Sequence, residues 1–341
     1  MISINSGIYD HKIRSFIIMK KSIVLILIAA VLLTGIIAGC QKKEAVVEKS
    51  NLILATGGTS GTYYPYGGAM AQIWNTNIAG MNVTAQSTGA SKENIRLVGK
   101  AEAELAIVQN DVMDYAMKGV ELFNGEKIET FSTVATLYPE IIQIVVAKDS
   151  KINSVADMKG KSISVGDAGS GVEANAKQIL EAYGLTFDDL QTKRLSFKES
   201  GSALKDKQIE GFFVTAGIPN AAIQEIATIG GVKLLSIDAE AKAKLMDKYK
   251  FYTEFTINKE TYNGMDADAQ TVAVKATLIA SNTLSETVVY NITKTLFEKQ
   301  EALAQAHAKG KDIVLKDAVM GASVPFHPGA AKYYKEMGAI K

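Results

Sequence analysis

The sequence predicts an α/β chain with a mostly parallel sheet. From Leu52 onward one unit recurs, namely a short apolar strand, a polar or glycine-rich turn and an amphipathic helix. The strand and turn pairs read "LILA" with "TGGTSGTYYPYGG", "LAIV" with "QND", "SISV" with "GDAGSG", and "GFFV" with "TAGIPN". Such alternation is typical of parallel sheets, in which ligands bind beyond the carboxyl ends of the strands. We therefore expect these turns to form the functional site.

The third turn leads into a helix with one apolar stripe. Apolar residues from Val172 to Tyr183 recur at helical spacing. Ser170 and Glu173 match a capping box. Two roles are open to Ser170: it caps its own helix, or it joins the first-turn N–H groups of Gly171 and Val172 in binding an anion.

Two further segments organise the chain. The apolar run from Ile141 to Ala147 is a candidate strand that crosses between two lobes, and "TVAVKATLIA" is a candidate return strand. A long terminal helix is predicted to begin after Ser285. The expected lobes are residues 51–138 with about 252–341, and residues 139–251.

The amino-terminal region has the pattern of a secretory signal peptide. Lys20 and Lys21 precede a long uncharged apolar stretch that ends at Cys40, the only cysteine of the chain. The stretch is long enough to cross a bilayer, so an uncleaved signal anchor is the alternative. However, "IAGC" resembles the lipobox of bacterial lipoproteins. We therefore expect a signal peptide over residues 1–39, possible initiation at Met19, and an extracytoplasmic protein with a lipidated tether over residues 40–50.

Charge and motifs exclude several function classes. Four basic residues and one acidic residue precede Cys40, so the remainder carries a net charge of minus two and no basic run, which disfavours nucleic-acid binding. "GDAGSGVE" matches neither a P-loop, a dinucleotide fingerprint nor a nucleophile elbow. His307 and His327 are isolated, with no zinc motif around them, and His307 is expected to be exposed. We expect neither an enzyme nor a bound metal or cofactor.

Binding without catalysis is the class that remains. The turns are rich in hydroxyl and amide groups, joined by the aromatic walls of Tyr63, Tyr64 and Tyr66. Each polar side chain is at least as suited to capping or turn formation as to ligand contact. Because they collect at the predicted strand ends, we expect them to hold a small polar acid. The residues are Thr59, Thr62, Ser91, Asn94, Gln109, Asn110 and Ser170.

At the level of whole motifs, the chain resembles the TAXI-type solute-binding proteins of tripartite ATP-independent periplasmic (TRAP) transporters. The motifs that carry this resemblance are "GGTSGTYYPYGGAMA", "STGASKENIRLV", "LAIVQNDV", "LYPEIIQIVVAKDS", "VADMKGKSISVGDAGSGVEANA", "GFFVTAGIPNAAI" and "PFHPGAAKYYKEMG". A relationship to the NMT1-like group, which includes receptors for pyrimidines or other nitrogenous ligands of ABC-type transporters, covers the same chain less well.

The resemblance implies a two-lobed type II periplasmic-binding-protein fold with parallel-rich sheets, flanking helices and a hinge. It implies capture of a small organic acid or amino acid, such as glutamate, glutamine, a dicarboxylate or an oxoacid, and its delivery to TRAP membrane subunits. The ligand-binding residues that it implies are Thr59, Thr62, Tyr63, Ser91, Asn94, Gln109, Asn110, Ser170, Gly171, Val172, Gly217 and Pro219.

Overall fold

The computed structural model describes residues 50–341. The predicted signal peptide, Cys40 and the tether up to residue 49 lie outside the described residues, whereas Ser50 is the first residue of a strand. Within residues 50–341, no helix is both long and apolar enough to cross a membrane.

Ten strands form one sheet in the described part of the chain. They are β1 (Ser50–Ala55), β2 (Met81–Gln86), β3 (Leu105–Gln109), β4 (Phe131–Ala147), β5 (Ser162–Ser164), β6 (Gln191–Lys193), β7 (Gly211–Ala216), β8 (Val232–Leu234), β9 (Thr253–Ile257) and β10 (Ala269–Ser281).

The helices flank this sheet and mostly follow the strands along the chain. They are α1 (Tyr63–Asn77), α2 (Ser91–Gly99), α3 (Asn110–Lys118), α4 (Gly171–Ala182), α5 (Phe197–Lys205), α6 (Ala221–Gly230), α7 (Ala239–Lys248), α8 (Glu286–Glu298), α9 (Gln300–Ala306) and α10 (Pro328–Glu336).

The sheet is parallel at its flanks and antiparallel at its centre. The strand order is β2-β1-β3-β10-β4-β7-β5-β6, with β8 paired to β4 and β9 paired to β10. Strand β1 pairs in parallel with β2 and β3, and β5 pairs in parallel with β6 and β7. The recurring strand–turn–helix units therefore form the flanks, as the sequence predicts, while the pairings of β4 and β10 make the whole sheet mixed.

Strands β4 and β10 connect the two flanks. The crossing strand predicted from Ile141 begins earlier, at Phe131. Its first part pairs with β10, and its segment from Ile141 to Val146 pairs with β7. Strand β10 in turn pairs with β3 on its other side. Side chains of β4 therefore lie near elements of both flanks.

The buried apolar residues form clusters that follow the same division. One cluster joins α1 and β1 to α8 and α10, and another joins β5 and α4 to α7. The described residues all belong to one compact unit. The division into lobes at residues 139 and 252 stays a prediction.

The carboxyl-terminal helix differs from the prediction. The segment after Ser285 forms two helices, α8 and α9, because Lys299 between them leaves the helical conformation at φ −110° and ψ 21°. Ser285 does cap the first of them, since its side chain accepts a hydrogen bond from the backbone N–H of Val288 at 3.2 Å.

Candidate functional site

A cavity of about 390 Å³, which we call the main cavity, lies where the strand–turn–helix units of both flanks meet. The glycine-rich turn after β1 forms one wall, and the first residues of α4 and α5 form another. The ends of β3 and β7 also contribute, as does a residue of β4. The cavity therefore lies at the strand ends that the sequence analysis singled out.

Eight of the twelve predicted ligand-binding residues line the main cavity. These are Thr59, Thr62, Tyr63, Ser91, Gln109, Ser170, Gly171 and Val172. The other four, Asn94, Asn110, Gly217 and Pro219, are not among its lining residues.

The two asparagines hold the backbone instead. The side-chain amide of Asn94 donates to the carbonyl oxygens of Thr56 at 2.6 Å and Ile107 at 2.8 Å. The side-chain oxygen of Asn110 accepts a hydrogen bond from the N–H of Lys275 at 3.0 Å, which joins α3 to β10. Asn110 directly follows β3, as predicted, whereas Asn94 lies within α2, and the side chains of both residues bond to neighbouring backbone.

Gly217 and Pro219 follow β7 but do not reach the main cavity. The N–H of Gly217 donates to the hydroxyl of Thr62 at 3.2 Å, and a Cβ at Gly217 would lie 2.9 Å from the side chain of Lys309. The loop after β7 therefore packs against the turn after β1. Its contribution is to position Thr62, which itself lines the cavity.

At the start of α4, Ser170 has the capping role. Its hydroxyl accepts from the N–H of Glu173 at 3.1 Å. The reciprocal half of the predicted capping box is shifted by one residue, because the Glu173 carboxylate accepts from the N–H of Gly169 at 2.6 Å. The same carboxylate accepts from Arg194 at 2.6 Å. The carboxylate at this helix end is therefore already paired with a cation.

Gln109, the last residue of β3, is held against the first residue of α4. A Cβ at Gly171 would lie 2.1 Å from the side-chain oxygen of Gln109, so only glycine allows this approach. The Gln109 side chain is 2% exposed, and its oxygen has no hydrogen-bond partner among the described residues. A buried amide oxygen without a partner is costly in a folded protein. Gln109 is among the lining residues of the cavity, so its oxygen is an unpaired acceptor in the cavity wall.

Glu140 is a buried acidic residue of the cavity that the sequence analysis missed. It lies in β4, is 2% exposed, and accepts a hydrogen bond from the hydroxyl of Tyr63 at 2.6 Å. Burial raises the pKa of its carboxyl to about 8, and the nearby Asp111 acts in the same direction. The signal in the sequence was a single charged residue within the apolar run "LYPEIIQIVV".

The main cavity is acidic. Besides Glu140, its lining includes Asp167 and Glu199, whereas Lys198 is its one cationic lining residue among the described residues. Burial raises the pKa of Asp167, with Glu199 and Glu93 adding to the shift. The arginines lie outside it, since Arg96 pairs with Glu126 and Arg194 with Glu173. The cavity lining is therefore richer in acidic than in basic side chains.

A buried polar network lies beside the cavity wall. The side-chain amide of Asn175 in α4 donates to Asp111 of α3 at 3.0 Å and to the hydroxyl of Tyr252 at 2.8 Å. The hydroxyl of Thr215, a lining residue of β7, donates to the Asn175 oxygen at 2.9 Å. Burial raises the pKa of Asp111 to about 7. The network holds α3, α4 and β7 together behind the cavity.

Comparison with known proteins assigns a family. Residues 54–338 match the sequence model of a family described as NMT1-like. The resemblance to TAXI-type proteins of TRAP transporters is therefore wrong, and the NMT1-like relationship, which covered the chain less well by motif, is the one that holds. The motifs misled because glycine-rich turns at strand ends serve any chain of this architecture.

Solved structures show the fold. A structure described as a periplasmic transporter is 14% identical, with 84% of this chain and 92% of that chain covered at a TM-score of 0.51. A protein from Bordetella bronchiseptica RB50 is 15% identical, with 85% and 81% covered at a TM-score of 0.50. The periplasmic aliphatic sulphonate binding protein SsuA from Escherichia coli is 16% identical, with 84% and 79% covered at 0.49. The predicted α/β fold of the periplasmic-binding-protein type is confirmed.

Proposed function

The chain belongs to the NMT1-like family, and we propose that it is an extracytoplasmic solute-binding protein that holds a small molecule in the main cavity and delivers it to a membrane transporter. The observation that carries the proposal is the main cavity itself. It lies at strand ends contributed by both flanks of the sheet, and its volume of about 390 Å³ fits a small solute.

The proposed partner is a transporter of the ABC type. This is the class that the NMT1-like relationship implies, and the family assignment now supports that relationship. A solute enclosed between parts of the chain that close on it changes the shape presented to a membrane subunit. The partner therefore distinguishes the loaded protein from the empty one.

We propose a binding role without catalysis. The imidazole of His307 accepts a hydrogen bond from the N–H of Lys309 at 3.1 Å, and that of His327 accepts from Gly329 at 3.2 Å. His307, which was expected to be exposed, is partly buried with its ring 5.3 Å from that of Tyr66. Both histidines thus serve as local caps. Ser170 is likewise engaged as a helix cap, so all three side chains have structural partners.

Lipid anchoring at Cys40 is part of the proposal and has its own test. The lipobox-like "IAGC" supports it. In cell fractions, the wild-type chain should follow the membrane, and a Cys40→Ser variant should lose that association or retain an unprocessed leader. Equal distribution and equal mass of the two chains would contradict the lipid anchor.

The binding function is tested by a thermal-unfolding screen of the full chain against amino acids, amines, oxoacids and pyrimidines. A ligand present at a hundredfold its dissociation constant should add about 2.7 kcal/mol to the free energy of unfolding. Isothermal titration calorimetry then gives the affinity of each compound that raises the melting temperature. Failure of every compound class to bind would contradict the proposed function.

A further inference from the structure

The main cavity contains a buried carboxyl group that has no cationic partner in the described part of the chain. Glu140 is 2% exposed, and none of the ion pairs in the described part of the chain includes it. Its hydrogen bond to the chain is the one donated by Tyr63 at 2.6 Å. A buried carboxylate without a cationic partner is costly, so Glu140 keeps its proton in the ligand-free protein near neutral pH. A cationic ligand would stabilise the ionised form in place of that proton.

A second buried acceptor belongs to a residue that lines the same cavity. The side-chain oxygen of Gln109 is buried and has no partner among residues 50–341, although it lines the cavity. Contact with Gly171 limits where the amide can move. Glu140 and Gln109 come from different strands, β4 and β3, that are both bonded to β10. A ligand that donates hydrogen bonds would therefore match the carboxylate of Glu140 and the side-chain oxygen of Gln109, which are held on the same sheet.

The cation that fits is organic. Among the described residues, no group of three or more His, Cys, Asp or Glu side chains is arranged to hold a metal ion. An ammonium group, in contrast, carries a positive charge and three hydrogen-bond donors, so one group satisfies both acceptors. Asp167 and Glu199 elsewhere in the lining add to the negative potential.

We propose that the ligand of this chain carries a protonated amino group, which donates hydrogen bonds to the carboxylate of Glu140 and the side-chain oxygen of Gln109. This inference rests on the proposed binding function. It places small amines and amino acids in the ligand class, and excludes oxoacids and dicarboxylates that lack nitrogen. The first-turn N–H groups of Gly171 and Val172 and the ammonium of Lys198 are available to the acidic end of an amino acid.

The test uses pairs of compounds that differ in their amino groups. The probes are L-glutamate and 2-oxoglutarate, L-alanine and pyruvate, putrescine and 1,4-butanediol, and the other proteinogenic amino acids with their oxoacids. Affinities for the full chain are measured by calorimetry. We expect at least one amino compound to bind tenfold or more tightly than its nitrogen-free counterpart. Tighter or equal binding of the nitrogen-free members would overturn this inference and leave the proposed binding function standing. Failure of both arms would overturn this inference, and the binding function would be contradicted as well only if the pyrimidines of the thermal screen also fail to bind.

Two variants locate the amino group. Glu140→Gln keeps the size of the side chain and an oxygen for Tyr63, and should weaken the selected amine at least tenfold. Glu240→Gln is the control, since Glu240 lies exposed on α7, pairs with Lys244 and does not line the cavity. It should change the affinity by less than about threefold. Unchanged affinity in the folded Glu140→Gln variant, verified by its melting curve, would overturn the assignment.

Discussion

The side-chain amide of Gln109 lies directly on the backbone of Gly171, so that a Cβ on residue 171 would be 2.1 Å from the amide oxygen. The contact joins the end of β3 to the start of α4. Because Gly171 has no side chain, the amide of Gln109 can lie against its backbone, and this contact fixes the orientation of the Gln109 side chain in the cavity wall. The effect expected of Gly171→Ala depends on this contact, and the effect expected of Glu140→Gln depends on the burial of Glu140.

Gly171→Ala should weaken ligand binding at least tenfold, because the added methyl group displaces the Gln109 amide. The melting temperature should change little, since alanine is favourable in a helix. Gly68→Ala is the control: Gly68 lies in α1, and its added Cβ meets no atom within 4 Å. This variant should bind as the wild type does. Calorimetry with the best ligand of the screen measures both, and equal affinity in the two variants would contradict a role for Gln109.

Glu140→Gln should reduce the dependence of stability on pH. The pKa of the Glu140 carboxyl is raised to about 8, so the native state keeps a proton that the unfolded chain loses above about pH 4.5. The stability present at low pH is therefore lost as the pH rises toward 8. Tyr63 and Asp111 are the ionisable groups that act on this carboxyl, and Asp111, with a pKa raised to about 7, contributes a loss of the same sign.

In ligand-free protein, we expect the free energy of unfolding of the wild type to fall between pH 5 and pH 7. The variant should fall less steeply, by up to about 1.4 kcal/mol per pH unit. Urea denaturation at pH 5, 6 and 7 measures the two slopes. Parallel slopes for the wild type and the variant would show that Glu140 is ionised in the native state.

Ser170→Ala should lower the free energy of unfolding by about 1 kcal/mol, because the N–H of Glu173 loses its acceptor. Ser170→Asp restores an acceptor at the same position and should recover most of this loss. Denaturant titration of the three chains distinguishes them. If Ser170→Ala is as stable as the wild type, the hydroxyl is not needed as a cap and its place in the cavity wall regains importance.

Asn175→Leu should lower the free energy of unfolding by about 3 kcal/mol, because Asp111 and Thr215 lose buried hydrogen bonds. Asn77→Leu is a matched control on α1, where the exposed amide donates to the carbonyl of Ile73 within its own helix. It should change the stability by less than about 0.5 kcal/mol. Similar losses in both variants would mean that the network between α3, α4 and β7 adds no stability of its own.

Strand ends were predictable because they depend on local pattern. The alternation of strand, turn and helix placed Thr62, Ser91, Gln109 and Gly171 at one edge of a sheet, and all four line the cavity. Local pattern could not say where each side chain points. Asn94 follows a turn just as Ser91 does, yet its amide is used by the carbonyls of Thr56 and Ile107, which are distant in sequence.

The sequence by itself determined the α/β class and the turns that surround the cavity, because hydrophobic period and glycine placement act over a few residues. The tertiary structure decided the chemistry of the cavity. In the sequence, Glu140 is a single charged residue within an apolar strand. The pairing of that strand with both β10 and β7 brings Glu140 to Tyr63 and buries its carboxyl group. Burial of a carboxyl group depends on residues remote in the chain, and this is why the sequence analysis did not include Glu140 in the site.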